Sequence, residues 1–327
     1  MSDSITYFHR GKLKGYSINK VTQTIISKIT NKTEYYVPRS YASISDILYN
    51  MLFIFKHRNK YGINHVTGDI HYGIIPLVGC KSVLTIHDIG LVDNAVNKTI
   101  KLKLMEYLYI RIPLMLSVKV VCISNETKRC IQKYTKRKDI VVIHNAIDPI
   151  FHREPYVFNE ELPNILIIGT NSNKNLERTF KALLEIKCKV TIVGSISESQ
   201  KIALKENNIS YVNKTKLSDE ELVLEYNKSD IVSFISLFEG FGMIVVEANK
   251  VGRPVITSDI PVLHEVAGDA ALYVCPTDIY EMHKAFVRII SDGRLRNFFI
   301  EKGYENARRF EPENIRKQWI ELYNSII

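Results

Sequence analysis

Twelve short runs of β-branched and apolar residues recur along the chain, each followed by a longer stretch of helical character. No other feature constrains the fold as much. In the first half the runs are Ile5–His9, Tyr35–Pro38, Ile63–Thr67, Ser82–His87, Val118–Ser124 and Ile140–His144. In the second they are Ile165–Gly169, Val190–Gly194, Ile209–Val212, Ile231–Ile235, Pro254–Thr257 and Ala271–Val274. They are continuous rather than alternating, the pattern of strands buried on both faces of a parallel sheet. Strand–helix alternation twice over predicts two doubly wound, Rossmann-like α/β domains. At 327 residues the chain is long enough for a core in each. Pro149, Pro155 and Pro163 interrupt any regular element near the middle, which predicts domains 1–153 and 154–308 and a C-terminal helical segment 309–327.

Charge is unevenly distributed. Residues 1–153 carry 23 Lys and Arg against 10 Asp and Glu, a net of +13, while 154–327 carry 21 against 25, a net of −4. Much of the excess lies between Asn97 and Lys138, including Lys101, Lys103 and Arg111, interleaved with Leu104, Met105, Tyr107, Tyr109 and Leu114. A basic amphipathic stretch of this kind suits an anionic membrane surface, or is the solvated face of an ordinary helix. Nucleic acid ranks below both, since no stacking or zinc module accompanies the charge. The N-terminus lacks a signal-peptide core and no apolar run approaches the ~20 residues that span a bilayer, so a cytoplasmic location is expected. The five cysteines are scattered and read as reduced thiols. No histidine or carboxylate spacing suggests a metal site, and no D-x-D is present.

Ligands of doubly wound sheets bind beyond the carboxyl ends of the strands, and the chemistry-bearing residues follow strands here. After Ile231–Ile235 comes Leu237-Phe-Glu-Gly-Phe-Gly-Met-Ile-Val-Val-Glu-Ala248, with Glu239 and Glu247 eight residues apart around a glycine turn. Gly240 and Gly242 let backbone amides approach a ligand closely, and the following helix N-terminus favours negative charge. Glu247 lies inside an apolar helix, where a carboxylate needs donors such as sugar hydroxyls. An elongated ligand with an anionic middle and hydroxyls at both ends, such as a nucleotide sugar, fits this layout. After Ile165–Ile168 comes Gly169-Thr170-Asn-Ser-Asn-Lys174, which can hold a diphosphate with backbone amides and one ammonium, or is a routine capped loop. After Ser82–Ile86 come His87 and Asp88, suited to a phosphate, a sugar hydroxyl or proton transfer; Asp69 and His71 follow the preceding strand.

These pieces, in this order, resemble retaining glycosyltransferase family 4, whose architecture is GT-B: two Rossmann-like domains facing a central cleft. Glu239-Gly-Phe-Gly-Met-Ile-Val-Val-Glu247 resembles that family's E-x7-E signature. Thr85-Ile-His87-Asp88, Val142-Ile-His-Asn145, Ile168-Gly-Thr-Asn-Ser-Asn-Lys174 and Asp259-Ile-Pro261-Val-Leu-His-Glu265 are similar to further family segments. The tail through Trp319 resembles a last helix that crosses back to the first domain. By this resemblance Glu239 would contact the transferred sugar and Glu247 the ribose. Gly240, Phe241 and Gly242 would line the sugar and phosphates through their backbone. Lys174 would neutralise the diphosphate, and His87 would face the reacting sugar. Gly11 and Gly15 would belong to a loop over the phosphates or the acceptor. The family's Arg before the lysine is absent; Thr170 and Asn171 stand there, with Arg178 as a substitute.

The resulting expectation is a metal-independent, cofactor-free retaining hexosyltransferase. It would move a sugar from a nucleotide diphosphate to a carbohydrate or lipid-linked glycan in bacterial surface polysaccharide synthesis, such as O-antigen or capsule. It would work at the inner face of the plasma membrane. The alternatives are a nucleotide-sugar epimerase of the same fold and an inactive basic protein that binds membrane or nucleic acid.

Overall fold

The computed structural model describes residues 4–11, 16–41, 43–88 and 100–326. The chain forms two compact units, Met1–Ala146 with Pro312–Ile327, and Ile147–Glu311. The first unit holds β1 (Ile5–His9), β2 (Lys32–Tyr36), β3 (Ile63–Val66), β4 (Lys81–Ile86), β5 (Lys119–Cys122) and β6 (Ile140–Val142). Their order is β2-β1-β3-β4-β5-β6, and all pairs are parallel. The second holds β7 (Asn164–Ile168), β8 (Lys189–Val193), β9 (Tyr211–Lys214), β10 (Ile231–Phe234), β11 (Val255–Ser258) and β12 (Leu272–Val274). Their order is β12-β11-β10-β7-β8-β9, again parallel.

Each sheet has one place where the strand order reverses, and there the loops on either side splay apart to leave a crevice. In the first unit it lies between β1 and β3, in the second between β7 and β10. Twelve strands are predicted and twelve are found. Two are displaced along the chain: Tyr35–Pro38 is observed as Lys32–Tyr36, and Ile209–Val212 as Tyr211–Lys214. Both are edge strands with half-exposed or exposed residues, so an apolar run marks them poorly.

The domain seam also moves. It falls after Ala146 rather than after Arg153, and residues 309–311 stay with the second unit. Phe151 is buried edge-on against Tyr226 with ring centroids 5.5 Å apart, and Ile147 N donates to Phe310 O at 2.8 Å. Those contacts tie the connecting segment to the second unit. The last helix, Pro312–Asn324, belongs to the first unit, where Ile315, Trp319, Leu322 and Tyr323 pack with Tyr7, Ile25 and Ile63. Their spacing is one face of a helix, and they complete a core against the helix Tyr16–Ile26. No helix among the described residues is long and apolar enough to cross a membrane.

Candidate active site

In the second unit the loops after β7 and β10 flank the switch point, and they are joined. Leu237 N donates to Asn173 O at 2.7 Å, and Asn173 Nδ2 donates to Phe238 O at 3.1 Å. Lys174, ending the short turn Ser172–Lys174, places its ammonium 2.5 Å from Glu239 Oε1 and 4.6 Å from the ring centroid of Phe234. The loop requires a glycine at its start. Gly169 has φ +86°, and a Cβ there would stand 3.0 Å from Lys174 Cε. Thr170 turns aside, donating to Ser195 O at 2.7 Å, and its own carbonyl accepts from Gln200. Arg178, the suggested substitute cation, donates to Asn175 Oδ1 at 2.9 Å in the adjoining turn.

Gly242 caps the helix Met243–Val251 with φ +110° and no side-chain cap, so the first helical amides are available to an anion. Phe241 buries its ring edge-on to Phe310, with centroids 5.7 Å apart. Just over one turn into that helix, Glu247 accepts a hydrogen bond from Tyr226 Oη at 2.6 Å. Burial, then the adjacent Glu247 charge, push the Tyr226 hydroxyl well above its ordinary range, so it remains a donor. The sequence reading gave Glu247 only ligand hydroxyls as partners and missed Tyr226. The available signal was a tyrosine three residues after Val223, both buried on one face of the helix Asp219–Lys228.

In the first unit Asp69, His71, His87 and Asp88 line one pocket of about 450 Å³, shared with Arg10, Arg39 and Tyr41. Arg10, after β1, pairs with Asp69, after β3, across the switch point. His71 Nδ1 lies 2.8 Å from Tyr109 O. Burial holds the His71 imidazole below its ordinary pKa and, helped by His71, pushes His87 down to about 4. Near neutrality both rings are therefore uncharged hydrogen-bonding groups rather than acids. Among the described residues His87 Nε2 is buried with no hydrogen-bond partner. Asn145 does not join this pocket; it lines a smaller space of about 20 Å³ with His65, His87 and Trp319. Gly11 is packed on the loop after β2, where a Cβ would meet Ser40 Oγ at 2.5 Å. Gly15 lies outside the described residues.

The basic stretch 97–138 is more structural than its composition suggests. Residues 97–99 lie outside the described residues. Arg111 donates to the buried Glu106 at 2.6 Å, and Arg137 pairs with Asp139 and donates to the carbonyls of Leu114 and Val118. Ile110 and Leu114 are core. Among the described residues no group of three or more His, Cys, Asp or Glu side chains could hold a metal ion, and all five cysteines are free thiols.

Residues 150–306, within the second unit, match the family described as glycosyl transferases group 1. O-antigen chain mannosyltransferase RfbU of Salmonella typhimurium is 27% identical over 274 residues, spanning 76% of this chain and 73% of that protein. O-antigen chain mannosyltransferase B of Escherichia coli is 32% identical over 105 residues, 32% of this chain but only 28% of that protein. Among solved structures, Anabaena Alr3699/HepE in complex with UDP-glucose superposes with a TM-score of 0.79 at 14% identity, covering 99% of this chain and 100% of that one. The fold is thus GT-B, two parallel-sheet Rossmann-like units as the strand pattern predicts.

Proposed function

We propose, from a second unit that matches glycosyl transferases group 1 over residues 150–306, that this chain transfers a hexose from a nucleoside diphosphate to a growing surface glycan. The observation that carries the reading is the meeting of Lys174 and Glu239 at 2.5 Å, from two loops that flank the switch point. A nucleotide sugar laid there has its diphosphate by the Lys174 ammonium and the uncapped helix amides. Its sugar hydroxyls lie by Glu239 and its ribose by Glu247. The diphosphate competes with Glu239 for the ammonium, so binding the donor frees the carboxylate to accept from the sugar. His87, neutral and with one ring nitrogen unpartnered among the described residues, is suited to a hydroxyl of the reacting sugar or the acceptor.

The mechanism consistent with this set is retaining and uses no metal. The C1–O bond to the phosphate breaks as the acceptor hydroxyl attacks from the same face, and the departing phosphate takes its proton. Lys174 and the helix amides stabilise the charge that develops on the leaving diphosphate, a job of positioning and electrostatics. The likeness to two O-antigen mannosyltransferases supports a mannose donor and a lipid-linked O-antigen or capsule glycan as acceptor. A thermal-shift panel of UDP, GDP and ADP followed by donor screening tests it. Stabilisation by one diphosphate is expected, together with loss of transfer in Glu239→Ala; full activity in that variant would sink the assignment.

A further inference from the structure

The helix Ile44–His57 is apolar on both of its faces. Ile47 and Ile54 point inward and are buried in the first unit's core, where the helix packs on the turn His71–Leu77. Ile44, Leu48, Leu52 and Phe55 form a second row at intervals of four, four and three, and they are 64, 56, 62 and 49% exposed. A solvated helix face carries polar side chains, and an apolar row of this length, about 17 Å at ~1.5 Å per residue, marks a surface that something covers. Val78 and Met115 are also exposed, on segments flanking the same turn, and widen the apolar area.

The ends of the row are cationic. Arg39 precedes the helix, and Lys56, Arg58 and Lys60 close it, against Asp46 as the one acidic residue between 39 and 60. The Arg58 guanidinium sits 3.5 Å from the ring centroid of Phe55, so the charge caps the row itself. The row also begins at the pocket. Tyr41, exposed three residues before Ile44, lines the cavity that holds His71 and His87.

We infer that the outward face of this helix docks the first unit on an anionic lipid bilayer. The row Ile44, Leu48, Leu52 and Phe55 lies at the headgroup–acyl boundary, with Arg39, Lys56, Arg58 and Lys60 among the headgroups. A second copy is the poorer occupant, because an isologous pairing would set cationic ends against cationic ends. The pocket mouth then opens beside the membrane, where the head of a lipid-linked acceptor would be. That use rests on the proposed function; the docking does not, and it is read without donor or acceptor. Its failure would leave the transferase reading standing, to be judged by nucleotide binding.

The test is co-sedimentation of the full chain with phosphatidylglycerol–phosphatidylcholine vesicles and with phosphatidylcholine alone, at low and high salt. Binding to the anionic vesicles that weakens with salt is expected. Leu48→Ser with Leu52→Ser should lower it at least about tenfold, as apolar surface is lost, with an unchanged melting temperature. Lys56→Gln with Lys60→Gln, which disturbs no core group, should lower binding to anionic vesicles alone and stands in if the serine variant folds poorly. Equal partition of either folded variant and the parent overturns the proposal. So does a parent that is dimeric by light scattering and becomes monomeric with the serines, which would assign the face to a second copy.

Discussion

Lys174 and Glu239 meet at 2.5 Å although 65 positions separate them, because the strands before them, β7 and β10, are neighbours at the switch point of the second sheet. Both side chains are mostly withdrawn from solvent, at 16 and 13% exposure, so each depends on the other to offset its desolvation. The pair is therefore both a structural tie and a reserve of charge that an anionic ligand can draw on.

Removing one partner should separate binding from transfer. Glu239→Gln keeps the side-chain shape but leaves the Lys174 ammonium without its carboxylate, so a nucleoside diphosphate should bind at least as tightly while transfer falls steeply. Lys174→Gln should instead weaken diphosphate binding about tenfold or more, the worth of roughly one charge-assisted contact. Isothermal titration of the diphosphate beside a transfer assay reads both. Equal losses of binding in the two variants would count against the division of roles.

Tyr226→Phe removes the hydroxyl that donates to Glu247 at 2.6 Å and nothing else. A hydrogen bond to a charged group contributes about 1.5–3 kcal/mol, so the melting temperature should fall measurably. Ribose recognition should loosen with it, because the carboxylate loses a short bond that helps to orient it. The nucleoside diphosphate should then lose affinity by more than inorganic pyrophosphate, which has no ribose. If both lose equally, Tyr226 does not act through the ribose.

The strand pattern and the loops that carry Lys174 and Glu239 were legible in the sequence because burial on both faces makes strands apolar runs, and because glycines and charges interrupt them abruptly. The β2 and β9 edges were displaced since their solvent faces admit polar residues. The pairings of Tyr226 and of Arg10 were missed for a different reason. Each acts through a partner distant in sequence, Glu247 and Asp69, and the partnership exists only once parallel strands bring the two segments together. The seam was placed late because proline content marks irregular chain. It does not record that Phe151 packs on Tyr226.

Gly242 should tolerate no side chain. Its φ of +110° is costly for any L-residue, and a Cβ would lie 2.6 Å from Leu263 Cδ2, closer than packing permits. Gly242→Ala should destabilise the protein by about 1–3 kcal/mol and displace the first turn of the helix Met243–Val251. Chemical denaturation gives the stability and nucleoside diphosphate titration the displacement. A variant as stable as the parent, binding as tightly, would show that the helix start accommodates the group.

Acid should unfold the first unit before carboxylate titration alone would require it. Burial pushes His65 down to about 3, and His9 and His87 down to about 4, with His71 also lowered. In the unfolded chain these rings titrate near 6.5. Between the two values the unfolded state binds more protons, so stability rises with pH there. The contribution of each ring is complete above about pH 6.5 and is lost as pH falls toward its folded value, up to about 3 kcal/mol per ring by pH 4. The Glu34 carboxylate, 3.4 Å from His9 Nε2, opposes part of this for that ring alone. Melting temperature followed from pH 7.5 to 4.5 should fall with a slope of several protons. His65, between Thr85 Oγ1 at 2.7 Å and Tyr323 Oη at 2.8 Å, has no carboxylate to relieve it. His65→Gln should therefore flatten the slope by about one proton while lowering stability at pH 7.5. A slope unchanged by that substitution would remove His65 from the account.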